Sequence, residues 1–213
     1  NDKSALGIIL NYPDASSNEL TSNEIILNDY KSDKASKAVI GFVGAGNYAS
    51  RVLIPAFKEA GANLHTITTS GGINSVVHGD KNNFHKASTD TDAMLEDSEI
   101  NTVAIVTQHG SHAHFVTKAL EQGKNVFVEK PLAINHEQLA NVKQAYNEQL
   151  SENKNARLMV GFNRRFAPQI QKMKALLQSE TEPKSFIMTM NAGSIPADHW
   201  TQDLEQGGGR IIK

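Results

Sequence analysis

Ala38-Val39-Ile40-Gly41-Phe42-Val43-Gly44-Ala45-Gly46-Asn47-Tyr48-Ala49 is the stretch on which the reading of this chain turns. A near-continuous apolar run followed at once by a glycine turn is the pattern of a fully buried strand feeding a helix. The helix is predicted from Asn47 to Ala60, with Pro55 removing one backbone bond and bending it near Arg51. Gly44 permits the tight turn, Gly46 leaves room for backbone to approach an anion, and Ala49 keeps helix and strand close. A diphosphate can then face the amides at the helix start, with Asn47 and Tyr48 beside it.

Outward from this stretch, strand and helix patterns alternate. Strands are predicted at Asn63–Thr69, Thr102–Thr107, Asn125–Val128 and Arg157–Phe162, with a short extended piece near Phe84–Ala87. Between them lie a weak helix at Ile73–His78, one capped by Asp90 and running to Leu95, one from Ser111 to Gln122, and one from Asn135 to about Leu150. Buried-type strands separated by helices give an α/β fold, a doubly wound Rossmann parallel sheet. After a helix from Ala167 to Gln178, the pattern changes. Residues Ser185 to Met190 alternate apolar and polar, the period of a strand in an antiparallel sheet. The expected organisation is residues 1–37 as a linker or the tail of a preceding domain, 38–165 as the dinucleotide-binding domain, and 166–213 as the truncated start of an α+β domain. Within residues 1–37, one or two short extended pieces are expected, at Ala5–Leu10 or Ile25–Leu27.

Composition narrows the function classes. The 213 residues carry a net charge of −2 with no long basic run, so no wide face attracts a phosphate backbone and nucleic acid is not an expected partner. No apolar stretch has membrane-spanning length and no signal peptide opens the chain, which makes a cytoplasmic protein with no membrane partner the default expectation. The absence of cysteine removes thiolate nucleophiles and cysteine-based zinc sites.

Lys130 stands between Glu129 and Pro131 at the exit of the Asn125–Val128 strand. Together with the Gly44–Ala49 turn, this element resembles the glucose-fructose oxidoreductase, inositol dehydrogenase and MocA family. Two further motifs carry the resemblance: Gly161-Phe162-Asn163-Arg164-Arg165-Phe166 and Gly207-Gly208-Gly209. Ala5–Leu10 also looks like the junction in two-module relatives, where a zinc-type alcohol dehydrogenase domain comes first. The resemblance implies hydride transfer between C4 of a nicotinamide and a secondary alcohol or ketone carbon on a sugar, nucleotide sugar or cyclitol. It also implies a homo-oligomer paired through the second domain's sheet. Family members usually supply an acidic residue and a histidine after the glycine-rich run, beyond Lys213, so a chain ending there is expected to bind cofactor yet possess an incomplete catalytic set.

Such a step needs an acid/base beside the reacting oxygen and a cation to hold alkoxide charge. Lys130 is the candidate for both, because an amine withdrawn from water beside a cationic ring exchanges protons near neutrality. Glu129 is a partner for the nicotinamide ribose or for Lys130, or else a solvated strand-end carboxylate. Thr107, Gln108, His109 and His112 follow the Thr102–Thr107 strand at the sheet edge where ligands bind, and are expected to touch the cofactor; packing or capping of the helix start is the alternative for the histidines. His112 and His114 point to different sides of a helix, so no metal is expected. Thr68-Thr69-Ser70-Gly71-Gly72 places no carboxylate at the end of the second Rossmann strand, and Ser70 can bond a 2'-phosphate, so between NAD and NADP the sequence leans to NADP. Arg164 and Arg165 present guanidinium forks to a small-molecule substrate, and His199 with Trp200 suits a sugar face. A non-catalytic NAD(P)-binding sensor or scaffold module is the alternative function. A methyltransferase is disfavoured by the same missing acidic residue.

Overall fold

A computed structural model describes residues 22–29, 38–151, 156–189, 191 and 193–209. Seven strands form one sheet: β1 (Glu24–Ile26), β2 (Val39–Val43), β3 (Asn63–Thr68), β4 (Lys86–Ser88), β5 (Thr102–Ile105), β6 (Asn125–Val128) and β7 (Leu158–Val160). Their order is β1-β4-β3-β2-β5-β6-β7. Every pairing is parallel except β1 with β4, which is antiparallel. The chain therefore steps outward from β2 in one direction, returns, and steps outward in the other. That reversal opens a crevice at the carboxyl ends of β2 and β5, where ligands of open α/β sheets sit.

Among the described residues the α-helices are α1 (Ile54–Glu59), α2 (Ile73–Asn82), α3 (Thr91–Glu96), α4 (His109–Glu121), α5 (His136–Ser151) and α6 (Pro168–Leu176). Each face of the sheet has its own core. On one, Val43, Val103, Ile105 and Val128 pack with Val116 and Leu120 of α4 and Val142 of α5. On the other, Ile40, Phe42, Ile67 and Phe84 pack with Ile54. Phe57 of α1 meets Phe42 edge-to-face at 5.5 Å and Phe127 at 5.6 Å, which fixes the first helix, and hence the glycine turn, over the middle of the sheet.

Pro55 leaves its mark one turn earlier. Helical structure starts at Asn47, but Ala49–Leu53 form a π-turn in which the Ile54 N–H donates to the Ala49 carbonyl. Pro55 has no N–H to give to the Arg51 carbonyl, and the widened turn relieves the clash of its ring with the preceding carbonyls. The bend expected near Arg51 takes this form.

Three expectations are adjusted. One of the short extended pieces sits at Glu24–Ile26, and it is the sheet's edge strand, paired with Ser88, Ala87 and Lys86. Helix α4 begins at His109 rather than Ser111, with Gln108 as an extended N-cap and Ser111 Oγ donating back to the Gln108 carbonyl. Ser185–Thr189 form no strand: Ile187 and Met188 are 94% and 76% exposed, and a period of two makes a strand only where a ladder partner exists. Ala5–Leu10 and Arg210–Lys213 lie outside the described residues.

Candidate functional site

The glycine turn lies at the crevice. Gly44 has φ +101°, and a Cβ there would stand 2.6 Å from the Val106 carbonyl oxygen, so the crossing of the β2 and β5 ends admits only glycine. Gly46 is the opposite case: a Cβ there meets nothing within 4 Å, leaving the turn open on its outer side. Ala49 is completely buried, as close packing of helix on strand requires. Asn47 and Tyr48 are exposed beside the opening.

At the end of β3, Thr69 Oγ1 accepts from the Gly72 N–H, and Ser70 is exposed. No acidic side chain occurs in the first turn of α2. At the end of β5, Thr107 Oγ1 and Ser111 Oγ are 2.6 Å apart, and Gln108 is exposed.

The two histidines expected to touch the cofactor bond backbone carbonyls. His112 is completely buried, with Nδ1 2.7 Å from the Pro131 carbonyl oxygen and Nε2 3.0 Å from that of Thr107. Burial pushes its pKa down despite these carbonyls. His109 is buried too, with Nδ1 2.9 Å from the Gly207 carbonyl oxygen and its ring 4.8 Å from that of Trp200. Both side chains make packing and backbone contacts here.

Glu129 follows β6 and is 9% exposed. Its Oε2 accepts from the Lys130 N–H at 3.3 Å, while Oε1 is buried without a hydrogen-bond partner. A Cβ on Gly161 would lie 2.7 Å from that Oε1, so the glycine after β7 makes the space the carboxylate occupies. Burial raises the Glu129 pKa, partly offset by the Lys130 N–H and charge. Lys130 is half-buried, and the peptide bond to Pro131 is cis.

Beyond β7, Arg164 and Arg165 lie exposed on a 3-10 turn, Asn163–Phe166. Arg165 Nε donates to the Phe162 carbonyl, and its guanidinium stands 5.8 Å from the Phe166 ring centre. Asn163, not singled out from sequence, donates to the Tyr48 hydroxyl at 3.1 Å and joins this loop to the glycine turn. Only its place inside the Gly-Phe-Asn-Arg-Arg-Phe element signalled it. His199 bonds Thr201, two residues on, while Trp200 packs on His109, which puts this pair at the first turn of α4. Among the described residues no three His, Asp or Glu side chains are grouped to hold a metal.

A nicotinamide dinucleotide fits these groups: an open glycine turn, a helix start without an acidic residue, and a buried carboxylate oxygen lacking a donor. The family model of Gfo/Idh/MocA, an oxidoreductase family with an NAD-binding Rossmann fold, matches residues 38–162. The chain belongs to this family. Within the Gfo/Idh/MocA group it is 33% identical over 132 residues to scyllo-inositol 2-dehydrogenase (NAD(+)) of Bacillus subtilis, covering 61% of this chain and 36% of that protein. It is 28% identical over 140 residues to oxidoreductase P35 of Formosa agariphila, covering 65% and 42%. The crystal structure of myo-inositol dehydrogenase from Lactobacillus casei with NAD(H) and myo-inositol superposes with a TM-score of 0.59 at 27% identity, covering 67% of this chain and 42% of that one. The chain thus spans about two fifths of the length of the Gfo/Idh/MocA relatives it matches. No described helix is long and apolar enough to cross a membrane.

Proposed function

We propose that this chain supplies the coenzyme-binding part of an NAD(P)-dependent oxidoreductase acting on a secondary alcohol or ketone of a sugar, nucleotide sugar or cyclitol. The observation that carries the reading is the Glu129-Lys130 pair at the exit of β6, on the same sheet edge as the open turn at Gly44–Gly46. When bound, the nicotinamide accepts or donates the hydride. Gly44 and Gly46 give the diphosphate its approach, with Asn47 and Tyr48 at the opening and Thr107 and Gln108 on the neighbouring loop. Glu129, whose Oε1 is buried without a hydrogen-bond partner, would hold the nicotinamide ribose. Lys130 Nζ takes the hydroxyl proton when an alcohol is oxidised, returns it when a ketone is reduced, and as an ammonium opposes charge on the oxygen. Arg164 and Arg165 orient the substrate. The relatives named above include cyclitol dehydrogenases, which supports that substrate class.

The exposed Ser70 and the absence of a carboxylate at Thr68–Gly72 favour NADP. We take residues 38–165 as the coenzyme domain, to whose sheet Glu24–Ile26 adds the edge strand, 166–213 as the start of the substrate and oligomerisation domain of a homo-oligomer, and the rest of 1–37 as a linker or domain tail. A zinc-type alcohol dehydrogenase module before them rests only on the Ala5–Leu10 pattern. Lys130→Met in the full-length protein tests the assignment: turnover of NADP⁺ with a cyclitol or sugar panel should be abolished while NADPH binding, followed by its fluorescence, persists. Unchanged turnover would overturn it.

A further inference from the structure

The loop that carries Lys130 is pinned at two points. Downstream, Gln138 of α5 accepts from the Ile134 N–H at 3.0 Å and donates through Nε2 to the Gly110 carbonyl at 3.1 Å. Upstream, directly after Lys130, the pin is the buried His112 ring on the Pro131 carbonyl. The same ring faces the Thr107 carbonyl, where the chain leaves β5. One imidazole therefore links the exits of two adjacent parallel strands, β5 and β6. A neutral ring carries one N–H and satisfies one of these two carbonyls; the imidazolium satisfies both. In either form no solvent reaches the ring to substitute for it.

We infer that His112 is a positioning residue: it fixes the Lys130 amine relative to the Thr107–Gln108 loop by holding the carbonyls of Pro131 and Thr107 on one ring. The inference rests on the reading of Lys130 as the proton-exchanging group, and it assigns His112 no contact with coenzyme. Replacing the ring by an apolar one of similar size keeps the core filled but removes the ring's hydrogen bonding to these carbonyls, so the Lys130 loop opens while the Gly44–Gly46 turn, held by β2 and α1, stays in place.

The test uses pyridoxal 5'-phosphate with borohydride. Its aldehyde condenses with a lysine amine, water leaves, and the imine is reduced to a stable secondary amine read by peptide mass spectrometry. Lys143, exposed on α5, is the internal standard. In His112→Phe the Lys130 to Lys143 labelling ratio at neutral pH should rise at least about threefold. His112→Gln, whose amide can still donate but lacks the ring's two opposed nitrogens, should fall between Phe and wild type. A folded His112→Phe with the wild-type ratio overturns the inference, as does His112→Gln giving the same ratio as Phe, because both outcomes leave the ring with a space-filling role only. If His112→Phe does not fold, His112→Asn is read the same way: a raised ratio supports the inference and an unchanged one overturns it. Failure of wild type to bind either nicotinamide coenzyme would sink the functional reading, yet the labelling ratio would still decide the role of His112.

Discussion

Residues 38–162 and residues 163–209 are held by different means. In the first region each strand is flanked by sequence neighbours that return over it as helices, and Phe42, Ile54, Ile67, Phe84, Ile105 and Leu120 are at most 1% exposed. In the second, α6 buries no residue, and Phe186, Ile187 and Met188 stand exposed. Its firmest attachment is borrowed: the Gly110 N–H donates to the Gln206 carbonyl, and Trp200 packs on His109. A parallel α/β layer closes its core from local units, whereas an alternating strand pattern waits for partners elsewhere.

Truncating side chains should separate the two regions most sharply. Phe42→Ala is expected to cost about 3–5 kcal/mol in chemical denaturation, whereas Ile187→Ala should stay within about 0.5 kcal/mol. Comparable losses at both positions would mean that the second region has a core of its own in solution. Gly44→Ala comes next, because its methyl group meets the Val106 carbonyl at a positive φ; a loss of about 1–3 kcal/mol is expected, with weakened coenzyme binding.

Acidification should act on the first region. His65 and His112 are both completely buried, and burial lowers both pKa values below 6.5. The unfolded chain then binds more protons than the folded one as the pH falls below that value, so stability should decline on acidification. Thermal melts in steps below neutrality should show this fall, and His65→Gln should flatten it. Glu129 acts with the opposite sign. Its pKa is raised, so its favourable contribution is complete below the unfolded value of 4.5 and disappears as the pH rises through the folded one. Glu129→Gln should therefore change stability least, flatten the loss above pH 4.5, and weaken coenzyme binding if the ribose uses Oε1.

The contrast between the regions also explains what could be read from sequence. Strands β2, β3, β5 and β6 were legible because apolar runs and their helix caps are local signals, and Pro55 foretold a disturbed helix. The edge position of Glu24–Ile26 was not, because a three-residue exposed strand is specified by its register with Lys86–Ser88, not by its own pattern. In the candidate site, Gly44, Gly46, Glu129 and Lys130 announced themselves by motif. The partners of His112 and His109 could not be read, because they are backbone carbonyls of Pro131, Thr107 and Gly207, which no reading of side chains reveals. Tyr48 and Asn163 meet only through the stacking order of the sheet.

The central claim is that the nicotinamide coenzyme lies against the open turn at Gly46, and calorimetric titration of NADPH and NADH into wild type and Gly46→Val tests it most directly. The added side chain starts in open space, so the variant should melt like wild type. The account predicts that wild type binds, NADPH the tighter of the two, and that Gly46→Val loses at least about a hundredfold in affinity. Equal affinities in the two proteins, or no binding by wild type, would contradict it.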